Sequence, residues 1–203
     1  MKVLHGLPEG TVEIESLHLQ KDRKIMMMIQ VLGFLIMLLM IGGMTVFRPI
    51  QALFDTSQGV GVYIVRFLVL ILGYVAYIVL HECTHGAAMR LLGARHVHFG
   101  FTGMYAYAGS QEDYFDKTAY FIVALAPLTV WFVTFQILSL WMPPDWFWVV
   151  YLLQVGNVSG SMGDIYVVIH FLSLSEDRWI LDTGIEMKVY AKKAGNDKET
   201  KSA

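Results

Sequence analysis

The residues of this chain best suited to chemistry form one short run, His81-Glu82-Cys83-Thr84-His85. Side chains four residues apart share one face of a helix, and two imidazoles at that spacing can bind one zinc ion. Glu82 can then act as the general base by taking a proton from water that the metal activates. The spacing therefore predicts water-dependent hydrolysis. The alternative interpretation is a buried helix end with a satisfied His/Glu cluster.

A third zinc ligand has to come from elsewhere in the chain, because a catalytic zinc usually has three protein ligands and a water. We predict Asp164, since no better carboxylate lies in an apolar segment. His96 and His98 are weaker alternatives that fit a β-hairpin better. The acidic residues after them are interpreted as a solvated turn: Glu112, Asp113 and Asp116. The predicted metal set is thus His81, His85 and Asp164, with one zinc ion per chain.

The elements that must position these residues are apolar and long. The chain is 56% hydrophobic and only 16% charged, whereas soluble domains carry about 25% charged residues. Four apolar blocks, about 25–47, 60–92, 118–142 and 146–174, each exceed the roughly 20 residues that cross a bilayer. We predict an all-α polytopic membrane protein with four transmembrane helices, an N-terminal segment 1–24 and a tail 175–203. Histidine and glutamate would be costly at membrane depth without a purpose, which favours a metal site over the alternative.

The distribution of Lys and Arg predicts how the chain sits in the membrane. These residues collect near both ends and in the 93–117 loop, whereas the other two loops hold only Arg48. Because Lys and Arg favour the cytoplasmic side, both termini and the 93–117 loop should be cytoplasmic. The second and fourth spans then run in the same direction. His81 and Asp164 each follow the start of their span by about 20 residues, so they should lie at one depth, in the cytoplasmic half of the bilayer.

Small residues surround Asp164 in the fourth span. Gly156/Gly160 and Ser159/Gly163 form small-xxx-small pairs, which let membrane helices approach closely. Asn157 lies seven residues before Asp164, on nearly the same helix face. It could donate a hydrogen bond to substrate or to a developing oxyanion, which makes it a second candidate catalytic residue beside Glu82. It could equally form a bond between helices.

The segments outside the spans carry weaker patterns. Val97, Phe99 and Phe101 alternate with their neighbours, as do Tyr105 and Tyr107, which predicts a short cytoplasmic β-hairpin. An amphipathic loop at the membrane interface is an equal alternative. Residues 1–20 could form a strand or an interfacial segment, and residues 191–203 are expected to be a solvated tail.

Over about residues 69–174 the chain resembles the putative zincin peptidase family of small bacterial membrane proteins, which are related to the site-2 (intramembrane) zinc metalloproteases. The resemblance rests on the His81–His85 run, Phe99-Gly100-Phe101, Tyr105-Ala106-Tyr107, Ala126-Pro127, and Asn157 to Asp164. It implies zinc on the predicted metal set, with Glu82 as base. Site-2 proteases carry an Asp-Gly type motif later in the chain, whereas here Gly163 precedes Asp164 and Ile165 follows it.

Three functions are compatible with these patterns. The first is a membrane-embedded zinc metalloprotease that hydrolyses a peptide bond of a membrane protein or peptide near the cytoplasmic leaflet. The second is a non-proteolytic zinc-binding protein of scaffold, chaperone or immunity type, against which Glu82 argues, because zinc binding alone needs no base. The third is a metal transporter, which would more often show repeated halves. The partners expected are the lipid bilayer and the substrate, and the net charge of −2 without a basic patch gives no indication of nucleic-acid binding.

Overall fold

Three long helices carry the first three apolar blocks. In the computed structural model, which describes residues 2–19, 21–103 and 105–193, they are α1 (Arg23–Thr45), α2 (Val60–Leu91) and α3 (Lys117–Trp141). Each is long and apolar enough to cross a membrane. Asp22 caps α1 by accepting from the backbone N–H groups of Lys24 and Ile25, and Asp116 caps α3 by accepting from that of Ala119. Large apolar side chains point outward along these helices, as lipid contact requires.

The prediction of an all-α protein with four transmembrane helices is wrong in two respects, and the first concerns the fourth block. It divides into α4 (Phe147–Gly160) and α5 (Met162–Phe171), which meet at Ser161, and neither half is among the helices long enough to span a membrane. The break falls where glycine and serine, which are weak helix formers, cluster. α4 also lies inside the bundle, in contact with α1, α2 and α3, and its Trp148 and Val155 are almost fully buried.

The second correction is the presence of two β-sheets. The larger one has five antiparallel strands: β1 (Val3–Leu4), β2 (Thr11–Leu17), β5 (Tyr114–Asp116), β6 (Trp179–Asp182) and β7 (Met187–Lys192). Their order across the sheet is β1-β5-β6-β7-β2. The sheet joins the two ends of the chain, because β2 pairs with β7. One face of the sheet packs against α3 and α5, and on it lie the fully buried Phe115, Ile180 and Val189.

The terminal segments are thus structured where they contribute to this sheet. Of the two interpretations of residues 1–20, the strand is correct for β2. The expected solvated tail begins inside β7, since residues 191 and 192 belong to that strand. The remainder of the tail, residues 194–203, lies outside the described residues.

The smaller sheet is the predicted hairpin, which is confirmed. β3 (Val97–Phe101) pairs with β4 (Ala106–Ser110), and Val97 lies opposite Ser110. The hairpin packs on the end of α2, where the Phe99 ring lies so close to Gly86 that a Cβ there would fall 2.4 Å from the ring. Gly86 directly follows His85, so the absence of a side chain at this position lets the hairpin approach the predicted metal set.

Candidate metal centre

The structure brings the three predicted metal ligands together. α2 presents His81 and His85 one helical turn apart, and the first turn of α5 presents Asp164. His81 Nε2 lies 3.4 Å from Asp164 Oδ2, and His85 Nε2 lies 3.5 Å from Asp164 Oδ1. One ligand atom from each residue lies within 4.8 Å of the other two. In the part of the chain that the structure describes, this is the one such cluster of His, Cys, Asp or Glu.

The three residues are close enough to share one metal ion. Zinc–ligand distances of about 2.0–2.2 Å in a tetrahedral site place neighbouring ligand atoms roughly 3.5 Å apart. Each histidine Nε2 lies at 3.4 or 3.5 Å from a different oxygen of Asp164, and ligand atoms of all three residues lie within 4.8 Å of one another. Two imidazoles and a carboxylate also match the composition of catalytic zinc sites, which leave a fourth position for water or substrate.

Hydrogen bonds to the far side of each imidazole fix its orientation. His85 Nδ1 lies 2.9 Å from the backbone oxygen of Val123. A carbonyl oxygen only accepts, so His85 Nδ1 carries a proton and Nε2 is the ring atom that faces Asp164. Partners of this kind hold metal-binding histidines in one tautomer and raise their basicity as ligands.

His81 is oriented by a longer chain of bonds. Its Nδ1 lies 2.9 Å from Tyr77 Oη, and that hydroxyl donates to Asn157 Oδ1 at 2.9 Å. Because the single hydroxyl proton is used toward Asn157, the Tyr77 oxygen accepts from His81 Nδ1–H. The Asn157 amide in turn donates to the Leu128 oxygen at 3.1 Å. His81 therefore also directs Nε2 at Asp164, through a chain that joins α2, α4 and α3.

The surroundings of Asn157 differ from those expected for a catalytic hydrogen-bond donor. Asn157 is fully buried, and both ends of its amide are engaged, by Tyr77 and by Leu128. The geometry corresponds to the second sequence interpretation, a bond between helices, and not to direct donation to a substrate. Tyr77 was missed, although it lies four residues before His81 and hence on the same helix face.

Glu82 faces a cavity of about 290 Å³ next to the three ligands. The carboxylate of Glu82 lies against the backbone N–H of Ala108 in β4. Helix, hairpin and sheet residues line this cavity: Leu19, His81, Glu82, His85, Tyr105–Ala108, Tyr120, Gly163, Asp164, Asp182, Gly184 and Met187. Residues of β6 and β7 and of the turn between them thus form part of the cavity wall.

A second, smaller cavity of about 160 Å³ shares His81, Glu82 and Gly160 with the first. It is lined by Tyr77, Ile78 and Gly160, and Ile78 is half-exposed on the outer surface of α2. A Cβ built on Gly160 meets no atom within 4 Å, and one on Gly163 meets only Leu19 at 3.9 Å. Of the predicted small residues it is therefore Gly156, pressed against the Tyr74 ring, that permits close helix contact, whereas Gly160 and Gly163 leave open space.

Asp182 is a further acidic residue at this cavity that the sequence patterns did not single out. Its Oδ2 accepts from Tyr120 Oη at 3.1 Å, and its Oδ1 accepts from the Gly184 N–H at 2.7 Å. Burial raises the pKa of the Asp182 carboxyl above its usual value. The residue lies almost 100 positions after the histidines in the tail, so only the pairing of β6 with β5 and β7 brings it there.

The other acidic and histidine candidates lie apart from the three ligands. His96 Nδ1 is 3.8 Å from Asp113, and His98 stacks edge-on with Tyr107. Glu112 is exposed, as expected of a solvated turn. Asp113 is not: it is fully buried and accepts from the backbone N–H groups of Arg95 and His96. The interpretation of Asp113 as a solvated residue is therefore wrong.

These features define a zinc-metallopeptidase type of site held within a largely helical, apolar bundle. Residues 74–178, half of the chain, match the family model described as "Putative zincin peptidase". The chain belongs to this family, which indicates a zinc-dependent peptidase. No curated protein and no solved structure matches the chain.

Proposed function

We propose that this protein is a membrane-embedded zinc metalloprotease that cleaves a peptide bond near the cytoplasmic leaflet. One zinc ion per chain would be held by His81 Nε2, His85 Nε2 and an oxygen of Asp164. The single observation that carries the proposal is the convergence of ligand atoms of these three residues, from α2 and α5, within 4.8 Å of one another; two imidazoles and a carboxylate are a ligand set typical of catalytic zinc. The three long apolar helices support its location in a membrane.

The chemistry follows from the positions of the groups around the ligands. Zinc, when bound, supplies Lewis acidity that favours deprotonation of water and polarises a carbonyl. Glu82 takes a proton from the attacking water as the water oxygen bonds to the carbonyl carbon of the substrate. Glu82 then returns that proton to the amide nitrogen as the C–N bond breaks. The backbone N–H of Ala108 lies near the Glu82 carboxylate, and a hydrogen bond between them would hold that carboxylate toward the cavity.

An extended substrate strand has a place beside Glu82. Within the described residues, β4 pairs with β3 on one side only. On its other side, Ala106, Tyr107 and Ala108 line the cavity. Gly184 lies against Tyr107 and Ala108, and the backbone of Thr183 lies against Gly109, so the stretch of β4 left for a partner strand is near Ala106. A substrate that pairs there would gain main-chain hydrogen bonds and hold its scissile bond beside Glu82.

The two cavities adjoin at His81 and Glu82 and differ in the rest of their lining. The larger one is lined by hairpin and sheet residues, and the smaller one by Tyr77 and the outward-facing Ile78 of α2. A membrane-inserted segment would approach through the smaller cavity, because Ile78 belongs to the outward apolar surface of α2. The proposal therefore includes membrane proteins as the substrate class.

Comparison of Glu82→Gln cells with wild-type cells tests the proposal. The amide is nearly isosteric but cannot take a proton from water, so the variant should retain zinc and lose cleavage. Glu112→Gln, an exposed carboxylate away from the ligands, serves as the matched control. Proteomic comparison should show membrane-protein fragments in wild-type and Glu112→Gln cells and full-length precursors in Glu82→Gln cells. Identical fragment patterns in all three, with zinc bound in each, would instead favour the non-proteolytic zinc-binding protein.

A further inference from the structure

Pro127 lies in the middle of α3, a place where proline is unfavourable. It has no backbone N–H, so it cannot bond to the carbonyl four residues earlier, and proline inside a helix is strongly destabilising. The carbonyl that loses its helical partner is that of Val123. This is the same oxygen that accepts from His85 Nδ1 at 2.9 Å. Val123 and Pro127 are both buried, and Val123 is only 1% exposed, so water is a poor substitute partner.

We propose that Pro127 is a positioning residue for the metal ligand His85. Its missing N–H keeps the Val123 oxygen free, and that oxygen then holds His85 Nδ1–H and directs Nε2 at the metal position. The proposal rests on the zinc site proposed above and assigns to the proline a purpose other than bending the helix.

Competition for one carbonyl is the physical basis of this role. In an uninterrupted helix, the N–H of residue 127 would bond to the Val123 oxygen on the line of the helix axis. His85 would then share the acceptor with a backbone donor that is always in place. A ligand histidine whose outer partner is removed typically loses 10–100-fold in metal affinity. The proline avoids that loss.

The same stretch of α3 also supports the second histidine. The oxygen of Leu128, the residue after Pro127, accepts from Asn157, which orients His81 through Tyr77. Two consecutive turns of α3 thus accept the hydrogen bonds that orient the imidazoles, directly for His85 and through Asn157 and Tyr77 for His81. Only the Val123 bond, however, depends directly on a missing N–H, so the two contributions can be separated by experiment.

Two replacements of Pro127 in the full-length protein distinguish the missing N–H from the ring. Pro127→Ala restores the N–H and a regular helix. Incorporation of lactic acid at position 127, which has an ester oxygen in place of the N–H, removes the ring but restores no donor. Val130→Ala, a change at a half-exposed position on the same helix, is the control for loss of side-chain volume. Zinc affinity is measured by competition with a chromophoric chelator.

We expect Pro127→Ala to lower zinc affinity about 10–100-fold and the lactic acid and Val130→Ala proteins to keep wild-type affinity. Unchanged affinity in Pro127→Ala, or equal losses in Pro127→Ala and the lactic acid protein, would overturn the proposal. If the alanine protein does not fold, loss of affinity in the lactic acid protein alone would be enough to reject it.

A second measurement needs no metal and no cleavage. In protein labelled with ¹⁵N-histidine, the Nδ1 proton of His85 should resonate downfield because it is hydrogen-bonded, and it should move upfield in Pro127→Ala but not in the lactic acid protein. The same signal in all three proteins would contradict the assignment. Since this readout concerns the metal-free chain, it can succeed even if wild-type protein binds no zinc, a result that would reject the proposed function alone.

Discussion

Replacement of Asp113 by alanine should be the most destabilising single change among the acidic residues of the 105–117 segment. The Asp113 carboxylate is fully buried, and its Oδ2 accepts from the N–H groups of Arg95 at 2.7 Å and His96 at 2.6 Å. Its Oδ1 lies 2.6 Å from His5 Nδ1. It therefore ties the start of the hairpin to the N-terminal segment.

The magnitude follows from the two backbone N–H groups that alanine would leave without an acceptor. A buried donor left unsatisfied costs about 1–3 kcal/mol. The His96 side chain is half-exposed, so water reaches the edge of this site and the lower part of the range applies. We expect Asp113→Ala to lower the free energy of unfolding by about 2–4 kcal/mol. Asp113→Asn keeps one acceptor oxygen and should lose less.

The effect should depend on pH in a defined direction. Burial alone would raise the pKa of Asp113, but the donors His96, His5 and Arg95 together hold it below its usual value. A carboxyl whose pKa is lower in the folded state stabilises the protein above its unfolded pKa, about 3.9. That contribution is lost as the pH falls through the folded pKa. The advantage of wild type over Asp113→Asn should thus shrink as the pH falls below about 4.

Equilibrium unfolding in detergent micelles, followed by tryptophan fluorescence, measures these differences. Hydrogen exchange at the Arg95 and His96 amides should show local loss of protection in Asp113→Ala. Glu112→Gln is the control, because its side chain is exposed and surface changes usually stay within about 0.5 kcal/mol. The reasoning is refuted if Asp113→Ala is as stable as Glu112→Gln, or if the advantage over Asp113→Asn persists undiminished to pH 2.

Two further predictions concern the metal ligands. Tyr77→Phe removes the acceptor of His81 Nδ1–H and should lower zinc affinity about 10–100-fold, whereas Tyr74→Phe, whose hydroxyl bonds the Leu152 oxygen, should not; equal affinities would show that Tyr77 does not orient the ligand. Asp164→Asn replaces a charged ligand by a neutral one and should weaken zinc binding and abolish cleavage. Metal analysis with full zinc in Asp164→Asn would exclude Asp164 from the coordination shell.

The parts of the fold that could be predicted from sequence are those set by local patterns. Helical periodicity places His81 and His85 on one face, and residue alternation predicts the hairpin of β3 and β4, whose strands are joined by a short loop. The five-stranded sheet had no comparable signal. Its strands are two to seven residues long and come from both ends of the chain, so their pairing depends on tertiary contacts that no short window contains.

The candidate site likewise has parts that local sequence patterns identify and parts that depend on tertiary contacts. Asp164 could be matched to the histidines from depth, but the groups that orient the ligands are backbone oxygens of α3 and a buried amide of α4. Such partners leave little trace in residue types, since any residue supplies a carbonyl. Pro127 is the exception, because a proline inside a helix marks a carbonyl left without its usual partner. The burial of Asp113 also had no signal in the sequence, because Asp113 and the exposed Glu112 are adjacent acidic residues of the same turn.

The large sheet also constrains how the protein lies in the membrane. β2 precedes α1 and β7 follows α5, yet the two strands are hydrogen-bonded neighbours, so both ends of the proposed membrane-embedded protein lie on one side. Since α1, α2 and α3 would make three crossings, α4 and α5 together must return the chain to that side. Because Lys and Arg concentrate at these ends, that side should be the cytoplasm. In a Cys83→Ala background, an impermeant maleimide added to intact cells should label Ser57→Cys, in the 48–58 loop, and spare Asp177→Cys until the cells are permeabilised. The reverse pattern would place the sheet and the proposed zinc ligands on the outer side of the membrane, without contradicting the pairing of the strands.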